Sequence, residues 1–233
     1  MIMDERAGGD IESRSALYLA KVMGWMCVGL LTTVAMALAT LTIEGMFFAV
    51  ASNFLLIAIA QLALVMIISA GIGRLSPGAA TVLFMVYSGL MGLTMSGIVI
   101  IYDLSSLLLA FSVTTFMFLT MSIYGFVTKK DLTTLGRLCF FALIGIVVGM
   151  IANFFLGNAM LDFAITVIGV VVFTGLIAYD TQNIKGIYRQ ASANGYDEYS
   201  PEMRKLAIIG ALKLYLDFIN LFLMLLRLLG RRR

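Results

Sequence analysis

Seven stretches of this chain are apolar over about the length that spans a bilayer, roughly 20 residues each. They are Leu17–Ala39, Ser52–Ile72, Ala79–Ile101, Leu107–Val127, Leu138–Leu156, Phe163–Tyr179 and Ala207–Leu229. Lipid offers no partner for a backbone N–H or C=O, so each must close its hydrogen bonds internally, as a helix does. Of the 233 residues, 61% are hydrophobic and 12% charged, and the mean hydropathy is +1.03. One soluble core of this size could not enclose that much apolar surface. The expected fold class is an all-α membrane protein with seven transmembrane helices, residues 17–233 forming one membrane domain. Residues 1–16 are polar and of mixed charge, with Asp4, Glu5, Arg6, Asp10, Glu12 and Arg14, and read as a disordered cytoplasmic tail.

Lysine and arginine set the orientation. The connections at 40–51, 102–106 and 157–162 contain neither. The alternate side carries Arg6, Arg14, Lys21, Arg74, Lys129, Lys130, Arg137, Lys185, Arg189, Arg204 and Lys205. The positive-inside rule puts this set and the N-terminus in the cytoplasm. Seven crossings then carry Arg227 and Arg231, Arg232 and Arg233 to the outer side, against the same rule. Ala35-Met36-Ala37 resembles a signal cleavage site, but the tail before it is net acidic and the apolar stretch is too long for a signal core. The connections are short except Asp180–Lys205, where Ser200-Pro201-Glu202 reads as an N-cap followed by proline at the first helical position.

Small residues mark places where helices can approach. Ser88, Gly92 and Ser96 form an every-fourth-residue row, and Gly145 and Gly149 form a GxxxG pair. Tyr87-Ser88-Gly89-Leu90 is faintly echoed by Phe173-Thr174-Gly175-Leu176, as a three-plus-three repeat with an added seventh helix would give. The 16 methionines are dispersed and read as core filler. Cys27 and Cys139 lie far apart inside apolar runs and read as packing residues, with no disulfide framework or metal set implied.

The chemistry rests on two acids. Asp217 stands in the middle of Leu214-Tyr215-Leu216-Asp217-Phe218-Ile219-Asn220, and Asp180 closes the preceding apolar stretch. A carboxylate at the centre of a membrane helix costs about 2.5–3.5 kcal/mol on insertion scales, a penalty that leucine would avoid. Gly210, Lys213, Asp217 and Asn220 share one helical face at spacings of three and four, and that face is expected to point into the bundle. Lys213 and Asp217 could be a structural ion pair, or the face could meet Asp180 and form a proton- or cation-responsive site. The chain has no histidine, so sensing near neutral pH would fall to carboxylates. Two close ones tend to share a proton, which moves their titration toward neutrality. Arg74 is a positive partner at the end of the second stretch.

Leu214-Tyr215-Leu216-Asp217-Phe218-Ile219-Asn220-Leu221-Phe222 followed by Leu225-Leu226-Arg227 resembles the closing helix of the Bax-inhibitor family, also known for its transmembrane Bax inhibitor motif. Thr174-Gly175-Leu176-Ile177-Ala178-Tyr179-Asp180-Thr181-Gln182 resembles its sixth-helix motif, and Tyr124-Gly125-Phe126-Val127-Thr128-Lys129-Lys130-Asp131-Leu132 its stretch after the fourth helix. The resemblance runs from about Ala16 to the end and is strongest to the bacterial branch. It implies seven helices with the last one central and wrapped by the other six. It also implies a calcium leak governed by pH through Asp180 and Asp217, which would hold the permeant calcium transiently, with Arg74 as a latch in the closed state. Lys213 departs from the family pattern, and a cation beside Asp217 would weaken calcium affinity. The implied setting is a bacterial inner (plasma) membrane, crossed several times by a monomer that needs no cofactor and binds no nucleic acid.

Two other functions compete with the leak. A non-conducting regulator could bind membrane proteases or other membrane proteins in stress responses, through the tail and the 180–205 connection. An intramembrane aspartyl protease would also pair two aspartates across helices, but Asp217 lacks the Gly-x-Gly-Asp setting of those enzymes, and no proline follows Pro201.

Overall fold

The computed structural model describes the backbone of residues 2–70, 75–197 and 199–231, and the side chains of these from residue 12 onward except 69–70. The described residues form eight helices: α1 (Ile2–Thr42), α2 (Met46–Ser52), α3 (Phe54–Ala70), α4 (Pro77–Ile101), α5 (Leu104–Val127), α6 (Thr133–Leu156), α7 (Ala159–Ala193) and α8 (Pro201–Leu229). Six of them, α1 and α4 to α8, are long and apolar enough to cross a bilayer. The expected second span, Ser52–Ile72, corresponds to α3, which is described from Phe54 to Ala70. It meets α2 at a bend of 75°, and the bent pair counted as one span brings the number to seven. Left-handed Gly45 (φ 77°) makes the turn into α2, a conformation that other residues adopt with strain.

The outer surface is apolar. Phe154 and Phe155 are 83% and 80% exposed, which suits contact with acyl chains and not with water. α8 is the opposite case: 72% of its most apolar window is buried, against 11% for α6. A helix buried all round is enclosed by protein.

Two expectations about the polar segments need correcting. α1 begins at Ile2, so the segment read as a disordered tail is helical. Over residues 12–16 the cause is visible: the Glu12 carboxylate pairs with both Lys185 and Arg189, one turn apart on α7. The second correction concerns Asp180, which was placed at the end of its helix. α7 continues 13 residues beyond it, to Ala193. The helix stops in a Schellman motif at left-handed Gly195 (φ 80°), with Tyr196 N–H donating to the Ala191 carbonyl (3.1 Å) and Gly195 N–H to that of Ser192 (3.0 Å). α8 starts at Pro201 as expected, and the Met203 N–H donates to the Ser200 hydroxyl (3.3 Å).

The chain divides into two compact units: Met1–Ile101 with Lys185–Tyr215, and Tyr102–Ile184 with Leu216–Arg233. In the first, α1 and α3 pack on α4. Ser15, Tyr18, Val22, Met26, Gly29, Thr33, Ala37 and Thr40 are the buried stripe of α1, at spacings of three and four. The row Ser88, Gly92, Ser96 is buried as its spacing predicts, and a Cβ on Gly92 would stand 2.4 Å from the Thr33 carbonyl oxygen. The second unit holds α5, α6, most of α7 and the end of α8. There the GxxxG expectation fails by half: Gly149 lies against Ile165, while Gly145 is exposed with nothing within 4 Å of a Cβ. At the end of α8, Arg227 lies 3.9 Å from Asp162, so that arginine is charge-balanced within its own unit. The Arg231 N–H donates to the Ser106 hydroxyl (2.9 Å), fastening the chain end.

Candidate functional site

The site is built where α7 loses its apolar character. Three glycines on three helices bring backbones together there. A Cβ on Gly125 of α5 would stand 2.1 Å from the Ala178 carbonyl oxygen, and one on Gly136 of α6 would stand 2.5 Å from the Tyr179 ring. On α7 itself, a Cβ on Gly175 would stand 2.8 Å from Cys139 Sγ. At Gly125 the obstruction is backbone, so a larger residue there would have to move a helix; at Gly136 and Gly175 a side chain would have to shift. Gln182 adds a polar tie. Its Oε1 accepts from the Leu132 N–H and its Nε2 donates to the Lys130 carbonyl, both at 2.8 Å, which joins α7 to the α5–α6 connection.

Asp180 lies within this clamped segment and is 9% exposed; Asp217 is 6% exposed. Both belong to the second unit. Asp217 is followed by Phe218, whose ring meets Phe111 (5.7 Å) and Phe118 (5.6 Å) of α5 edge-on. The charge of Asp217 acts on Cys139. That thiol is the group packed at Gly175, five residues and about 7.5 Å along α7 from Asp180. The two acids that the sequence singles out are therefore both buried, within the second unit.

Two hydroxyls share this environment. Ser122 and Thr181 are 1% and 0% exposed, and their oxygens have no hydrogen-bond partner among the described residues. Ser122 lies three residues before Gly125 and Thr181 three after Ala178, so each shares the helical face on which α5 and α7 touch. A hydroxyl buried without a partner is unfavourable by about 1–3 kcal/mol. This crossing thus keeps polar groups where apolar ones would pack more favourably. Among the described residues no three His, Cys, Asp or Glu side chains converge as a metal site.

Asn220 is half-buried, and its amide donates to the Leu216 carbonyl one turn back (2.8 Å). Lys213 shares the helical face of Asp217 by spacing; it is exposed while Gly210 and Asp217 are buried. Arg74 lies outside the described residues.

Sequence reasoning missed Gly125, Gly136, Cys139 and Gln182 as parts of the site. The continuation of α7 did leave a signal. Ile177, Ala178, Thr181, Ile184, Lys185, Tyr188 and Ala191 are all buried, at a helical spacing that runs straight through the polar stretch.

The family described as inhibitor of apoptosis-promoting Bax1 matches residues 15–233. Among curated proteins, the chain is 47% identical to an inner membrane protein of Escherichia coli, YbhL, over 98% of both chains. It is 41% identical to an uncharacterized protein of Borreliella burgdorferi, covering 93% of this chain and 92% of the other. An uncharacterized protein of Deinococcus radiodurans is 42% identical over 91% of this chain and 89% of its own.

Proposed function

This chain belongs to the Bax-inhibitor family of membrane proteins, and on that premise we propose that it is a pH-sensitive cation leak, calcium preferred, whose sensor is the pair Asp180 and Asp217. The observation that carries the reading is the burial of both carboxylates on two helices of one compact unit, in a chain without histidine. A buried carboxylate attracts a divalent cation when ionised and loses that attraction when protonated. Protons and calcium would therefore compete for the same oxygens. The neutral hydroxyls of Ser122 and Thr181 suit a cation shedding water along this path. In this reading Arg74 latches one of the acids in the closed state, and the N-terminus faces the cytoplasm of a bacterial inner membrane.

The test is calcium flux into liposomes holding only this protein, across a pH series, for the wild type, Asp180→Asn, Asp217→Asn and the double variant. Coupled titration predicts that either single change reshapes the whole profile and that the double variant is flat. PH dependence surviving in the double variant would refute the shared sensor. Absence of calcium flux in the wild type would favour a non-conducting regulator that binds membrane proteases or other membrane proteins. That second reading has one feature in its favour: the loop joining α7 to α8 presents Tyr196 and Tyr199, both exposed.

A further inference from the structure

Tyr215 lies two residues before Asp217 on α8 and is fully buried. Its hydroxyl oxygen is 2.6 Å from Thr33 Oγ1 on α1. Its ring meets Phe84 (5.7 Å) and Tyr87 (6.0 Å) of α4, both edge-on. Thr33 Oγ1 also lies 3.0 Å from each of the carbonyl oxygens of Gly29 and Ser88. A threonine hydroxyl has one proton, and the two carbonyls can only accept it. Thr33 therefore donates to the carbonyls, and Tyr215 donates to Thr33. The Ser88 hydroxyl donates to the Phe84 carbonyl (2.9 Å).

This socket depends on close helix approach. A Cβ on Gly29 would meet the Phe84 ring at 2.5 Å, and one on Gly92 would meet the Thr33 carbonyl oxygen at 2.4 Å. Apolar packing does not call for such a socket, because phenylalanine would fill the same volume without a polar atom. What the hydroxyl adds is direction: a hydrogen bond weakens steeply as its angle departs from linear, so it selects one rotational setting of α8. Residues two apart on an α-helix project about 200° apart and about 3 Å along the axis. Tyr215 and Asp217 thus leave α8 on opposite sides, and a turn of the helix that moved one would move the other.

We propose that Tyr215, held by Thr33, is a positioning residue that fixes the rotation of α8 and thereby the proton affinity of Asp217. The proposal rests on the reading of Asp217 as part of the pH sensor; the hydrogen bond itself does not. Among the described residues, the titratable and charged groups placed around Asp217 include Cys139 from α6 and, four residues back on its own helix, Lys213, with Asp180 on α7 in the same unit. Around Tyr215 the titratable neighbour is Tyr87 of α4. Rotating α8 changes the surroundings of Asp217 while leaving its chemistry intact.

Three variants test this in the full-length protein in liposomes. Tyr215→Phe removes one oxygen, Thr33→Val removes the acceptor at nearly constant shape, and Thr33→Ser restores it. The titration of Asp217 is read from its carboxyl band in infrared difference spectra, identified with Asp217→Asn, and calcium flux is measured alongside. Tyr215→Phe and Thr33→Val should each move the midpoint by about half a pH unit or more, roughly threefold in proton affinity. The pair should move it no further than either alone, and Thr33→Ser should keep the wild-type value. A lower melting temperature with an unmoved midpoint in both variants would overturn the proposal and leave Tyr215 a packing residue. If Tyr215→Phe does not fold, Thr33→Val against Thr33→Ser decides alone. A midpoint that shifts as expected in a protein passing no calcium upholds the positioning role and refutes the leak.

Discussion

In the first unit, Gly92 admits the backbone of α1 until a Cβ would stand 2.4 Å from the Thr33 carbonyl oxygen; in the second, Gly125 admits α7 until the corresponding distance, to Ala178, is 2.1 Å. The packing device is the same, but the polar groups enclosed differ. Thr33, Ser88 and Tyr215 are neutral, and each hydroxyl has a hydrogen-bond partner. The second unit encloses two carboxylates and the hydroxyls of Ser122 and Thr181, which lack partners among the described residues. Close packing alone therefore does not make a site. A saturated set of hydroxyls behaves as an anchor, whereas a charged and under-satisfied set can respond to protons and cations.

The comparison is broken most directly at its glycines. Gly125→Ala should largely abolish folded protein, or lower stability by about 3 kcal/mol, because its Cβ meets backbone that cannot turn aside. Gly92→Ala should act in the same direction. Gly145→Ala, with open space around it, should leave the melting temperature unchanged or slightly raised, since alanine is the better helix former. Thermal unfolding in one detergent reads all three. Equal melting temperatures for Gly125→Ala and Gly145→Ala would mean that close approach at Ala178 is not what holds the second unit.

The acids come next. Asp217→Asn should fold, because it keeps shape and hydrogen-bonding capacity, and should lose the pH response of calcium flux. Asp180→Asn should reshape the response with a smaller loss. Failure of Asp217→Asn to reach the membrane would make the carboxylate a structural element, and the contrast between anchor and site would collapse.

These acids were legible in the sequence because charge inside an apolar run is conspicuous, and the row Ser88, Gly92, Ser96 because its period is that of a helix. Gly125 and Gly136 were not. A lone glycine in a membrane segment carries no periodic signal, and what makes these two matter is the residue opposite, Ala178 or Tyr179. Gly145 and Gly149 show the converse: the motif is in the sequence, yet α6 turns Gly145 outward. Asp180 marks the end of an apolar stretch but not of its helix, since hydropathy registers the end of apolar composition and α7 ends only at Ala193.

A pair of isosteric changes sharpens the contrast at smaller amplitude. Thr33→Val removes a bonded hydroxyl and should destabilise by about 1 kcal/mol; measured interhelical hydrogen bonds in membranes average nearer 0.6. Thr181→Val removes a hydroxyl with no partner among the described residues and should be neutral or stabilising. Unfolding of the two variants in the same detergent gives the sign. If both destabilise alike, Thr181 has a partner that matters, and the second unit is as saturated as the first.

The smallest expected effect lies outside the membrane helices, at Asp131 in the α5–α6 connection. The Thr133 hydroxyl and the Thr133 N–H, which lies 2.8 Å from Oδ1, hold this carboxyl below the usual carboxylate range, with the charge of Arg137 helping. A carboxylate whose folded pKa is depressed stabilises the fold above its unfolded value, about 3.9, and loses that contribution as pH falls through the folded one. Above about pH 5 Asp131 is ionised in both states, so its effect on the first turn of α6 is constant there. Asp131→Asn should therefore leave the shape of the calcium-flux profile between pH 5 and 8 unchanged, with at most a uniform change in amplitude. Loosening of α6 in the wild type, read by hydrogen exchange at Leu132 to Leu135, should begin only below the ordinary carboxylate range. A flux midpoint that moved with Asp131→Asn would place part of the pH response at the membrane surface, and the division between a neutral anchor and a titrating interior would no longer account for it.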